Sequence, residues 1–399
     1  MKRLFIPILG IAAVVTGLAA GMLAGAMAAP AATLDPAHVA AGGSPTIAAP
    51  TAPPTPSPTP SPTPVPTPTP SPTPVPTLAP VPAPLTGVMV PPAIAAQHPI
   101  AVMVDDHPDA RPQAGFNAAS VVWQAPAEGG VPRYMLIFQE NLPSLVGPVR
   151  SAREYYIAWA AEWRALYAHS GGSPQALRTL RSKGNGQLVY NADEFRWART
   201  FTRVRDRFAP HNLYSDGKRL RALAKTLKAT DGPLEAAWAF GPDVARPFRP
   251  HGGRIEVAYS YNRIRYDYDW KSNTYLRSVT GEKKQTDAAT GARVAPKNVV
   301  VMLMRFGPLN DGSSKLRLEA QVVGTGIAWI SSNGRTIKGT WRKDSVTKPT
   351  RFFDARGRLV TLAVGQTFVQ VMQTGTKVSI TPGAPPPPPD PFSDRLDAR

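Results

Sequence analysis

Residues 50–84 alternate proline with threonine, serine and valine almost without interruption, and this tract constrains the chain more than any other feature. Proline fixes φ and lacks a backbone donor, so a stretch with proline at every second place forms neither helix nor sheet. The expected conformation is extended polyproline II. About 35 residues at ~3.1 Å each make a semi-rigid spacer of roughly 100 Å. The folded part of the chain must therefore follow the spacer, with a separate segment in front of it.

That front segment reads as a targeting signal. Lys2 and Arg3 precede an uncharged apolar run over residues 4–29, the n-region and h-region pattern of export. Ala26, Met27 and Ala28 form a small-residue cleavage pattern. At ~1.5 Å rise per residue the same run also suffices to cross a bilayer. A cleaved signal and an uncleaved anchor both fit, and a stand-off arm is most useful when one end is tied down. In either case the basic end stays cytoplasmic and residues beyond 30 lie outside. The expected location is extracytoplasmic, membrane-anchored or secreted.

The chain has no cysteine. Disulfides, thiolate zinc sites and thiol nucleophiles are excluded, as is a lipid carried on cysteine. The formal net charge of +18, from 45 Lys and Arg against 27 Asp and Glu, points to acidic partners. For an exported protein those are anionic lipid headgroups or wall polymers rather than nucleic acid.

Composition divides the chain into a signal or anchor (1–29), a flexible and Thr/Pro-rich spacer (30–84), an α/β domain (85–242), a mostly antiparallel β domain (254–378) and a disordered tail (379–399). In the α/β domain, apolar runs at 100–105, 120–124 and 134–138 predict buried strands. Ser151 and Glu154 have capping-box spacing ahead of a helix reaching about 166. Ser173 and Pro174 begin a second helix, and a third is expected over 218–227. The β domain shows short β-like runs at 255–259, 298–304, 316–323, 326–330, 336–341, 350–353 and 367–372. Turns at Asn333-Gly334 and at 354–357 punctuate them.

Chemistry-bearing residues collect in the α/β domain. Asp105 and Asp106 end a strand, where α/β sites usually gather. Glu128 and Arg133 follow. Arg150 and Arg153 lead into one helix, and His169, Gly171, Gly172 and Ser173 lead into the next. Helix N-termini carry free N–H groups and partial positive charge, and guanidinium forks match phosphate or carboxylate oxygens two at a time. Glycines at 171 and 172 would let backbone amides approach a ligand. Together these residues describe an anion cradle, bridged by a magnesium-like ion on Asp105 and Asp106. The plainer alternatives are an ordinary turn with Arg150 paired to Glu128, a hydrogen-bonded core histidine at 169, and aspartates that cap a loop. No Gly-x-Ser-x-Gly elbow supports a serine nucleophile. The six histidines, including His107 and His211, lack the spacings of a histidine zinc site.

Several strings in order resemble the DUF3048 family, the YerB-like bacterial envelope proteins. They are Val102-Met-Val-Asp105, Arg111-Pro-Gln-Ala-Gly115, Ala127-Glu-Gly-Gly130 with Arg133, Gly147-Pro-Val-Arg-Ser-Ala-Arg153, His169-Ser-Gly-Gly-Ser-Pro174 and Ala209-Pro-His-Asn212. Residues 287–291, 298–301, 324–326, 339–343 and 364–367 are similar to that family's C-terminal module. The resemblance spans about 85–375 and implies an exported, tethered protein, with no reaction attached. This chain departs from the family in lacking the lipoprotein cysteine. It also has Asp106 where the family pattern usually has asparagine.

Three functions follow. The first is an envelope protein that binds an anionic glycan or lipid-linked phosphate through Arg133, Arg150, Arg153 and the two helix starts. The second is a phosphoryl or glycosyl-phosphate transferase, with Asp105 on a metal and His211 or His169 moving a proton. The third is a scaffold whose β domain docks another envelope protein.

Overall fold

Runs of apolar residues become strands buried on both faces. The computed structural model describes residues 78–386; the expected export segment, nearly all of the spacer and residues 387–399 lie outside the described residues. The N-terminal half supplies β1 (Ile100–Asp105), β2 (Val121–Ala125), β3 (Arg133–Phe138), α1 (Glu154–Ala160), β4 (Leu166–His169), α2 (Pro174–Lys183), β5 (Tyr190–Asp193) and α3 (Gly217–Thr226). The C-terminal half supplies β6 (Arg254–Ala258), β7 (Arg263–Asp269), β8 (Thr274–Val279), β9 (Asn298–Met304), β10 (Gly324–Ser332), β11 (Arg335–Lys343), β12 (Arg351–Phe353), β13 (Thr367–Gln373) and β14 (Ser379–Thr381).

Both halves contribute to one mixed ten-stranded sheet, in the order β12-β11-β10-β9-β13-β2-β3-β1-β4-β5. The seam is β13. It runs parallel to β9, with Val369 opposite Val300, and parallel to β2, with Val369 opposite Trp123. The protein is thus β-rich with few helices. The C-terminal half does not close on itself as a sandwich or barrel: β9 to β13 extend the N-terminal sheet, while β6, β7, β8 and β14 form a separate antiparallel sheet in the order β8-β7-β6-β14.

Alternation along each strand divides the core in two. Ala101 and Met103 of β1 pack with Tyr155, Tyr156, Trp159, Ala176 and Leu180 of the α1 and α2 side. Ile100, Val102 and Val104 pack on the other face with Leu220 and Leu223 of α3 and with Ile255, Ile264, Tyr266 and Tyr275 of the four-stranded sheet. Trp159 stacks on Trp123 with ring centroids 4.7 Å apart and planes inclined by 10°, which seats α1 on the seam.

Several sequence expectations need correction. The capping box does not form. Helix α1 begins at Glu154 with Arg153 at the N-cap and no side-chain cap, because the Glu154 carboxylate accepts from Thr179 Oγ1 at 2.9 Å instead. The helix also stops early, at Ala160, followed by one 3₁₀ turn and then β4. The tail is ordered at its start: β14 pairs with β6, and Ala384 exchanges backbone hydrogen bonds with His251 at 2.8 and 2.9 Å. Strands β5, β7 and β8 were not anticipated. By contrast, Ser173 accepts from Ala176 N at 3.2 Å as the N-cap of α2, as its sequence implies.

Candidate functional site

Asp105 closes β1 at its C-terminal end, and two loops are stitched to that end by backbone hydrogen bonds. Asp105 N donates to Pro148 O at 2.9 Å, and Arg150 N donates to Met103 O at 2.9 Å. Val149 N in turn donates to Leu213 O at 2.6 Å, which brings in the loop that carries His211. Arg207 fastens that loop by donating to Ala110 O at 2.9 Å and Pro112 O at 3.0 Å.

The result is a compact polar cluster. His211 Nδ1 lies 2.7 Å from Asp105 Oδ2, and Arg150 Nε lies 2.8 Å from the same oxygen. The guanidinium is close but poorly aligned for an N–H bond, so the contact is an ion pair. Asp105 Oδ1 accepts from His107 N at 3.1 Å. Burial alone would raise the Asp105 pKa, but Arg150, Arg133, the His107 amide and His211 together hold it below the usual carboxylate range. Burial lowers the pKa of Arg150 despite its carboxylate partner. The Asp105 side chain is buried, whereas those of Arg150 and His211 reach solvent, 24% and 15% exposed. The imidazole of His107 stacks on that of His211, centroids 5.0 Å apart.

The other anticipated residues are placed differently. Arg133 and Arg153 both point at Glu128. Arg133 Nη2 lies 3.0 Å from Glu128 Oε1, Arg153 Nε lies 2.7 Å from Oε2, and Arg153 Nη2 also donates to Oε1. Both guanidiniums are buried and held by this clamp, although Arg133 Nε is left without a partner. The two helix starts lie side by side, as expected, but they bind each other. Ala152 N donates to Gly171 O at 2.9 Å, Ser173 N to Ala152 O at 3.1 Å and Ser170 N to Arg150 O at 3.0 Å, while Gly171 N turns to Asp193 Oδ1 at 3.3 Å. A Cβ on Gly172 would sit 3.2 Å from that of Ala152, so that glycine serves close packing. His169 is fully buried, with its ring nitrogens 2.8 Å from Gly171 O and 2.8 Å from Asn191 Oδ1.

Asp106 faces away from Asp105, into the core. Its Oδ2 accepts from Gln124 Nε2 at 2.6 Å and from Asn262 Nδ2 at 2.8 Å. Burial raises its pKa to about 6, against the pull of Arg277 and Arg111. The two aspartates therefore do not converge on one ion. Among the described residues, the group able to offer three metal-ligand atoms within 4.8 Å of one another is His107, Asp109 and His211. Sequence reading missed His107 and Asp109, as well as Gln124, Asn262 and Arg277, because His211 and the core partners they meet are remote in the chain. A signal for His107 was present in Asp105 two residues earlier, the spacing at which an aspartate accepts from the backbone two residues on. Cavities of about 360 Å³ occur beside Tyr268 and Tyr275, and beside Gly129, Gly130 and Tyr259. Neither is lined by Asp105, Arg150 or His211.

A sheet assembled from both halves, with a carboxylate–imidazole–guanidinium cluster at one strand end, defines a class of β-rich two-segment proteins. The family described as "Protein of unknown function (DUF3048)" matches this chain twice, by its N-terminal domain over residues 85–230 and by its C-terminal domain over residues 255–369. The chain belongs to the DUF3048 family. It is 30% identical over 313 residues to "Putative lipoprotein YerB" of Bacillus subtilis (strain 168), covering 75% of this chain and 88% of that protein. The crystal structure of YerB from Bacillus subtilis superposes with a TM-score of 0.66 at 25% identity, covering 74% of this chain and 99% of the other.

Proposed function

We propose that this protein works outside the cytoplasmic membrane and binds an anionic envelope ligand, a phosphate-bearing glycan or a lipid-linked phosphate, at Arg150 and His211. The observation that carries the reading is the pairing of one partly exposed guanidinium and one partly exposed imidazole on a single buried carboxylate. The Arg150 guanidinium and the His211 imidazole share one carboxylate, and both side chains reach solvent. An arriving phosphate oxygen would accept from the guanidinium N–H groups left over from Asp105 and from His211 Nε2. The +18 net charge steers such ligands towards the protein. The placement outside the membrane draws on Lys2, Arg3 and the apolar run after them, and on the lipoprotein description of the Bacillus subtilis relative. No helix among the described residues is long and apolar enough to cross a membrane.

A second reading draws on the same geometry. Asp105 fixes the His211 ring through Nδ1 and leaves Nε2 outward, the arrangement of a general base that takes a proton from a hydroxyl nucleophile. Retention on purified phosphate-bearing wall polymer at moderate salt tests the first reading: Arg150→Ala and His211→Ala should each lose retention, and unchanged binding in both would refute it. Turnover of a polyprenyl-pyrophosphate substrate that vanishes in His211→Ala would establish the second.

A further inference from the structure

We propose that His107, Asp109 and His211 form a site for a divalent transition-metal ion, with zinc the best match to the donor set. The histidines lack a metal-binding spacing in the chain, yet folding brings one ligand atom of each residue within 4.8 Å of the other two. Two imidazole nitrogens and one carboxylate oxygen suit zinc, and three protein ligands leave the fourth tetrahedral position for water or a ligand oxygen. Magnesium, which demands oxygen donors and octahedral geometry, fits poorly here.

The support around the ligands is the independent argument for a site. Zinc-bound histidines characteristically donate their second nitrogen to a carboxylate, and His211 Nδ1 lies 2.7 Å from Asp105 Oδ2. In the neutral ring that contact places the proton on Nδ1 and leaves Nε2 as the ligand nitrogen. The same Asp105 holds the His107 backbone through Oδ1 at 3.1 Å, so one buried carboxylate positions both histidine-bearing segments. Arg207 ties the same two segments together at Ala110 O and Pro112 O, so the ligand-bearing loops are joined before any ion arrives. His107 now stacks on His211 with planes inclined by 19°. Its side chain is 39% exposed and its Nδ1 accepts from Asp109 N at 3.3 Å, a contact that an ion would replace as the ring leaves the stack. Asp109 is 73% exposed, with Oδ2 at 3.5 Å from His107 Nδ1.

The inference does not rest on anion binding, because metal uptake is measured with no anionic ligand present. The untagged full-length chain, stripped with chelator, is titrated with zinc chloride by calorimetry near neutral pH in a non-coordinating buffer. One ion per chain is expected. His107→Ala and Asp109→Asn should each weaken binding by about tenfold or more, and Asp105→Asn, which removes no ligand, by roughly 10- to 100-fold. His251→Ala, whose ring stacks on Trp270, should change nothing. Cobalt in place of zinc should give the intense visible bands of a four-coordinate site, lost in His107→Ala. His107 and Asp109 are surface side chains, so these variants keep the test valid should His211→Ala fail to fold. No saturable zinc uptake, uptake indifferent to His107→Ala and Asp109→Asn, or magnesium bound as tightly as zinc would each overturn the proposal.

Discussion

Glu162 and Lys343 form an ion pair at 2.8 Å in which neither side chain has any exposure. The pair joins the 3₁₀ turn after α1 to the end of β11, so it spans the two halves of the chain. Glu162 also accepts from Thr350 N at 3.1 Å and Thr350 Oγ1 at 2.6 Å, and Lys343 Nζ donates to Lys348 O at 2.6 Å. Replacing Glu162 with Leu leaves a buried ammonium without its counter-charge and should cost about 3–5 kcal/mol. Lys343→Met should cost a similar amount, softened by the two Thr350 donors that still serve Glu162. Replacing both removes the stranded charges. Such exchanges range from neutral to stabilising, and here the orphaned Thr350 donors offset part of any gain, by about 1–3 kcal/mol. The double variant should therefore lie within about 2 kcal/mol of the parent, with a coupling of about 3 kcal/mol or more. Urea denaturation of the full-length proteins measures this, provided the slope of the transition is unchanged. A Glu162→Leu penalty below about 1 kcal/mol, or additive single effects, would refute the reasoning.

Other consequences can be measured in parallel. Glu128→Gln should release Arg133 and Arg153 from their clamp, cost about 2–3 kcal/mol, and make the melting temperature rise with added sulfate more than in the parent; an equal sulfate response in both proteins would contradict this. Asp106 has a folded-state pKa of about 6, above the ordinary aspartate value, so the folded chain binds its proton more tightly than the unfolded chain. Its contribution to stability is greatest at low pH and is lost as pH rises through about 4 to 6. Asp106→Asn cannot titrate, so the difference in unfolding free energy, variant minus parent, should grow across that window, and a flat difference would be the contrary result.

Local chemistry made part of this protein legible. Continuous apolar residues marked β1 and β9, Ser173 with Pro174 marked a helix start, and Asn333-Gly334 marked the β10–β11 hairpin, where both residues take positive φ. The unanticipated strand β7 carries Arg263, Arg265 and Asp267 on its outer face, while Ile264, Tyr266 and Tyr268 face the core. Alternation of two residues was the signal there, and the charges obscured it. The joining of both halves was not legible, because nothing local in residues 367–373 says that they lie between β9 and β2. The site followed the same division. Asp105, Arg150 and His211 were each identifiable by type and setting, but their meeting depends on the hydrogen bonds of Val149 with Leu213 and Arg207 with Pro112. Arg133 and Arg153 have the right chemistry for an anion, and Glu128 reaches them first.

The decisive measurement is an NMR titration of the histidine ring signals of the metal-stripped full-length protein with glycerol phosphate. If Arg150 and His211 form the anion site, the His211 ring signals shift saturably and the stacked ring of His107 follows. His98, His169 and His251 stay where they are, and Arg150→Ala abolishes the shifts. Signals that do not move, or that move alike across all the histidines with Arg150 removed, would contradict the assignment of this cluster as the working site.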